Sequence, residues 1–174
     1  MKNGFIYGAI AGILYMTWVI LGDRFFPYLV YGSLPVMAIT ALLTIGFMIL
    51  ACQKEKAFLD GSIRFGEAFL VCLSLYFAFN IIYAIGFKLF LDLSPSAMTN
   101  FLEVSKTSTA DLLRKLGTNE DEIFQAVETL EEAISQMFTW KTTIMNLIIG
   151  VIFPGSLYAL ITAGITSKFS KKQS

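Results

Sequence analysis

Four long stretches of the chain carry no charged side chain: residues 3–22, 25–53, 68–87 and 142–167. A helix rises about 1.5 Å per residue, so roughly 20 apolar residues cross a hydrocarbon core about 30 Å thick. Each stretch is long enough. The pattern predicts membrane helices over about 4–21, 35–52, 65–91 and 140–167. Between the first two, Phe25, Phe26, Tyr28 and Tyr31 cluster where a membrane–water boundary falls, the place aromatic side chains prefer. Ser33-Leu34-Pro35 reads as a helix start, because proline lacks an N–H that the first turn cannot use. Gly22-Asp23-Arg24 ends the first helix.

The one long polar segment, residues 92–139, has a pattern of its own. Ser94-Pro95 is a cap followed by a first-turn proline, and Phe101, Leu102, Ser105, Leu112, Leu113 and Leu116 recur at helical spacing. Gly117 supplies a stop, and Thr118 with Asp121 resembles a capping box. Ile123, Val127, Leu130, Ile134 and Met137 then form one apolar stripe. The pattern predicts two amphipathic helices, about 95–116 and 119–139, the second free to run on into the last span. The expected fold is therefore an all-α integral membrane protein, a single domain over residues 1–174. Four membrane helices form a bundle, with a helical hairpin between the third and fourth.

Charge sets the expected orientation. With a cytoplasmic N-terminus, that side holds Lys2, Lys54, Lys56, Arg64, Lys168, Lys171 and Lys172 against Glu55, Asp60 and Glu67. The other side holds Arg24, Lys88, Lys106, Arg114, Lys115 and Lys141 against ten acidic residues, six of them within residues 120–132. Basic loops stay inside, so both termini are expected in the cytoplasm of a bacterial inner membrane and the hairpin outside it. The first stretch reads as a retained helix rather than a cleaved signal. Its apolar run exceeds the usual signal core of about 7–15 residues, and Ile20-Leu21-Gly22 is a poor cleavage site.

Composition narrows the chemistry. Only 15% of residues are charged, below the ~25% of an ordinary soluble domain, and the net charge is zero, which argues against nucleic acid as a partner. Histidine is absent, removing the commonest general base and metal ligand. Cys52 and Cys72 fall in or beside apolar stretches and read as small apolar residues. None of the hydrolase, zinc-protease, phosphate-loop or C-x-x-C signatures occurs. The acidic run 120–122 suits the first turn of a helix, where the dipole favours negative charge. No catalytic residue, cofactor or metal is expected. The deep parts of all four spans lack Asp, Glu, Lys and Arg, which argues against an ion-coupled pump.

Four features are candidate sites. Gly4, Gly8 and Gly12 make two overlapping G-x-x-x-G steps, a groove for close approach of another helix of this chain, a second copy or a partner subunit. Arg64 and Glu67, three apart, can pair beside Phe65, as a docking point, a lipid-headgroup site or an interfacial helix start. Asn80 and Asn146 are amides within spans three and four, suited to polar contacts between helices. Pro154, followed by Gly155, predicts a kink or opened backbone in the last span.

The string Gly61-x-Ile63-x-Phe65-x-x-Ala68-Phe69 after a hydrophobic hairpin resembles a bacterial membrane family, "domain of unknown function 4199". The aromatic third span, the amphipathic segment and the last span with central glycines also resemble it. Cys72 stands where the family pattern leads one to expect glycine. The resemblance implies a four-span envelope protein and brings no activity with it. It hints at lipid-linked sugar pathways. The residues themselves support a non-catalytic membrane protein acting through a partner subunit or self-association. The alternative is a small transporter or lipid-handling protein, including one for polyprenyl-linked substrates.

Overall fold

The computed structural model describes residues 1–31, 34–59 and 61–168, with side chains described for all of these except 34–37, 135 and 168. Ser33, Asp60, Lys171 and Lys172 of the sequence argument lie outside the described residues. The order is α1 (Lys2–Phe25), α2 (Pro27–Tyr31), α3 (Leu34–Phe58), α4 (Phe65–Leu93), α5 (Pro95–Lys115), α6 (Glu120–Met137), α7 (Trp140–Gly150), a π-helical turn (Val151–Gly155) and α8 (Ser156–Lys168). Among the described residues there is no strand. Four helical segments are long and apolar enough to cross a membrane: Lys2–Phe25, Ala38–Phe58, Phe65–Leu93 and Trp140–Ser167.

The ends differ from the sequence reading in instructive ways. α1 continues through Gly22-Asp23-Arg24 to Phe25, and α3 continues past Cys52 through Lys54-Glu55-Lys56. Charged residues end the lipid-compatible run but do not end a helix, because straight-chain residues such as Lys and Glu favour it. Two connections turn at glycines with φ of 82°, Gly61 and Gly117, a conformation only glycine adopts without strain. The cap of α6 is Asn119 rather than Thr118, its side chain accepting the N–H of Glu122 at 2.8 Å. Ser94 occupies the N-cap position of α5, yet its hydroxyl meets Ser96 at 3.2 Å instead of a backbone N–H. α6 does not run on into the last span. Thr139 interrupts it and caps α7 by accepting from the N–H of Thr142.

α4 is the central element, touching α1, α3, α7 and α8. Gly4 faces Val71, Gly8 faces Leu75 and Gly12 faces Phe79 and Ile82, so α1 and α4 run parallel in close contact. In a membrane, apolar side chains gain little by leaving lipid for protein, so backbone proximity and van der Waals packing hold such a pair together. The last span runs antiparallel to α4. Asn80 lies near Gly150, and Tyr76 packs on Gly155 and Tyr158. Pro154 is absorbed by the π-helical turn, where the Ser156 hydroxyl donates to Phe153 O at 3.1 Å. One end of the molecule thus gathers the start of α1, the end of α3, the start of α4 and the end of α8. There Glu55 accepts from the amino group of Met1 at 2.6 Å and from Asn3 at 2.7 Å.

α5 and α6 lie at the opposite end and pack on each other, and Val104 of α5 and Ile123 and Ile134 of α6 are buried. Lys106 and Glu131 bridge them. Arg114 pairs with Glu120 at 2.9 Å across the Gly117 turn and holds that carboxyl below the usual carboxylate range. Leu112 and Leu116, assigned to the packed stripe by spacing, are exposed, as is Met137. The buried positions of α5 lie in its first half, where Ala97 packs with Met16, Val19, Phe87 and Leu91 of α1 and α4, and Val104 is buried further along.

Candidate functional site

Where α5 and α6 meet the spans, aromatic rings from five segments converge. Tyr15 comes from α1, Tyr31 from α2, Tyr83 and Phe87 from α4, Phe101 from α5, and Phe138 from the end of α6. Tyr15 and Tyr83 meet edge to face at 5.2 Å, as do Tyr31 and Phe101 and also Phe101 and Phe138. Tyr83 stacks on Phe87 at 5.6 Å. Edge-to-face and offset pairs of this kind add about 0.5–1.5 kcal/mol each beyond area burial. The rings tie the polar segment to the spans.

They also line an open cavity of about 320 Å³, to which Lys88, Thr143 and Asn146 contribute. Lys88 is buried near the end of α4. A buried ammonium is costly unless paired. Asp92, one turn on, pairs with it, and the Trp140 ring lies 5.4 Å from its Nζ. Among the described residues, no hydrogen bond satisfies the hydroxyls of Tyr15 and Tyr83 or the amide of Asn146. The cavity therefore presents an ammonium already paired with Asp92, two tyrosine hydroxyls and the exposed amide of Asn146, among aromatic rings.

Asp23 fixes the other side. It is buried at the end of α1, accepting from the Tyr31 hydroxyl at 2.9 Å and from Asn100 Nδ2 at 3.3 Å. One carboxylate thus joins α1, α2 and α5. Burial first, and then this hydrogen bond, push the Tyr31 hydroxyl above the ordinary tyrosine range, so it stays a donor.

A second, apolar groove of about 600 Å³ lies between α1 and α3. Ala11, Leu14, Trp18, Ile39, Leu43 and Phe47 are among its walls. Tyr15 lines both spaces.

The sequence-derived candidates fall in different places. Gly4, Gly8 and Gly12 are covered by α4. Arg64 and Glu67 start α4 at the far end, where Glu67 accepts the backbone N–H of Arg64 at 2.8 Å. Among the described residues no ion pair joins their side chains, because the carboxylate has turned back onto the helix start. Phe65 beside them is exposed. Asn80 donates to Tyr76 O in its own helix at 3.0 Å. Asn146 alone of these lines the aromatic cavity, and Pro154 sits in the π-helical turn. Tyr15, Tyr83, Lys88 and Asp23 were not singled out from sequence. The tyrosines inside otherwise apolar spans and the Lys88–Asp92 spacing were the available signals. Among the described residues no group of three or more His, Cys, Asp or Glu side chains could hold a metal ion.

The model of a family described as a protein of unknown function, DUF4199, matches residues 2–168, essentially the whole chain. The chain belongs to this family. No curated protein and no solved structure matches it.

Proposed function

We propose that this DUF4199-family protein is a non-catalytic protein of the bacterial cytoplasmic membrane that holds an amphiphile. An elongated apolar tail lies in the groove between α1 and α3. A polar or anionic head lies among Tyr15, Tyr83, Lys88 and Asn146. The observation that carries this reading is Tyr15, which borders both spaces, so an apolar groove and a polar, aromatic cavity meet at one side chain. Ligand sites commonly combine apolar walls with a few convergent polar groups. Phospholipids and polyprenyl-linked carriers both have this chemistry.

The test is lipid retention. Protein extracted in mild detergent should release a bound amphiphile on denaturation. Leu43→Trp fills the apolar groove and should cut the retained amount at least about tenfold, a loss of about 1.4 kcal/mol. If the unmodified protein retains no more than Leu43→Trp, the reading fails.

Both termini are cytoplasmic in this proposal, and α5 and α6 form an extracytoplasmic hairpin over the cavity. Support comes from the excess of basic residues at the end that gathers Lys2, Lys54, Lys56 and Arg64, and from the acidic α6 at the other. A cysteine placed at Thr129, with Cys52 and Cys72 replaced by serine, should react with an impermeant maleimide only from outside. Reaction only from the cytoplasmic side overturns the orientation.

Association with a second copy or another membrane subunit is the second reading. The last span favours it, since 11% of its most apolar window is buried against 44% in α4. Such a contact would not use the glycine groove, which α4 occupies.

A further inference from the structure

Two thiols from different helices meet in the interior. Cys52 of α3 and Cys72 of α4 have their Sγ atoms 3.4 Å apart, and both are free and buried. Their surroundings include Met48, Ala51, Ala68, Val71 and Leu75. Cys52 is six residues from the last residue of α3 and Cys72 seven from the first of α4. At ~1.5 Å per residue the pair sits about 10 Å inside that end of the molecule. A cavity of about 270 Å³ reaches it, lined by Cys52, Gln53, Lys56, Ile63 and Thr166 among others. Cys52 borders this cavity and Cys72 does not, so the two thiols are unequal.

We propose that Cys52 and Cys72 form a redox-active dithiol, in which Cys52 is oxidised first by a hydroperoxide entering through this cavity and Cys72 resolves it to an intrachain disulfide. The Cys52 sulfur attacks one peroxide oxygen. The O–O bond breaks, the sulfur becomes a sulfenic acid, and the remaining oxygen takes up the Cys52 thiol proton and leaves as water, or as an alcohol from an organic hydroperoxide. The Cys72 sulfur then attacks the Cys52 sulfur. The S–O bond breaks, the hydroxyl leaves with the Cys72 proton as water, and the S–S bond forms. Two thiols lose two electrons and the peroxide gains two.

Geometry favours the second step. A disulfide spans about 2.05 Å, so the two sulfurs need approach by only about 1.4 Å. The thiols themselves lie among apolar side chains, which a small neutral oxidant reaches at less cost than a charged one. The bridge closes the segment between residues 52 and 72 and pins α3 to α4 beside the end of α8. Dithiols in reducing compartments that oxidise reversibly commonly serve as sensors.

The experiment treats the intact protein in detergent micelles with hydrogen peroxide, then denatures and alkylates it. The expected result is loss of both alkylatable thiols, a mass lower by two hydrogens, and a digest peptide joining Cys52 to Cys72. Dithiothreitol should reverse all three. In Cys72→Ala a dimedone adduct should appear on Cys52, and in Cys52→Ala the remaining thiol should stay unreacted. Survival of both thiols in the unmodified protein overturns the proposal. So does separate overoxidation of each, or bridging only between chains. If either variant does not fold, the mass and the bridged peptide of the unmodified protein decide the matter alone.

Discussion

Gly8→Leu is expected to lower the thermal midpoint of the detergent-solubilised protein by about 6–12 °C without changing its oligomeric state. A Cβ at Gly8 would stand 2.2 Å from the carbonyl oxygen of Leu75 and 2.9 Å from the Ala78 Cβ. The nearest obstacle is backbone, which no rotamer change can move aside, so α1 and α4 must separate. Overpacking of this kind costs typically about 1–3 kcal/mol. For a chain of this size each kcal/mol shifts the midpoint by about 2–4 °C, and the figure above takes the upper end of the cost. Gly46→Leu is the matched control, because nothing lies within 4 Å of a Cβ at that glycine. It should melt with the unmodified protein. A Gly8→Leu protein that melts normally would sink the α1–α4 contact. One that melts normally but changes oligomeric state would move the groove to an interface between copies.

The second large effect is expected at Asp23→Ala, which should release the amides of α5 to exchange while leaving those of α4 protected. The carboxylate satisfies the Tyr31 hydroxyl and the Asn100 amide together. A donor stranded in a fully buried place costs about 1–3 kcal/mol; Tyr31 and Asn100 are half-buried, so the two together cost roughly that much. The asymmetry of that rule gives a sharper check. Removing both partners is cheaper than removing one, so Asp23→Ala with Tyr31→Phe should recover part of the stability lost by Asp23→Ala alone. Unchanged exchange in α5 after Asp23→Ala would mean that the aromatic rings seat this helix without the carboxylate. Additive effects of the two substitutions would show that Asp23 and Tyr31 act independently.

These two sites differ in how far the sequence discloses them. The repeat Gly4, Gly8, Gly12 is visible as a groove-forming pattern, but the pattern is the same whether the second helix belongs to this chain or to another. Contact with Val71, Leu75 and Phe79 resolves it. Asp23 looks, from sequence, like a residue at the end of an apolar run. One of its hydrogen-bond partners, Asn100, is 77 positions away. The aromatic cavity is less legible still. Its rings run from Tyr15 to Phe138, and no local period links them. Cys52 and Cys72 read as small apolar residues until the turn at Gly61 brings α3 back against α4.

What the sequence determined by itself is what depends on solvent and on short-range geometry. Uncharged runs of membrane-crossing length gave the four apolar helices, because a charge in hydrocarbon is expensive wherever the neighbours lie. The glycine stop at Gly117 and the stripe from Ile123 to Ile134 gave two helices in the polar segment, because caps and amphipathic spacing act within a few residues. Tertiary structure alone decided which faces meet. It set α4 at the centre, buried Lys88 beside Trp140, joined α1, α2 and α5 at Asp23, and made Tyr15 border both an apolar groove and an aromatic cavity with a few polar groups. The physical reason is that helices in lipid have no hydrophobic preference for one another. Their pairing rests on shape and on a few polar contacts between distant residues, and a one-dimensional pattern carries neither.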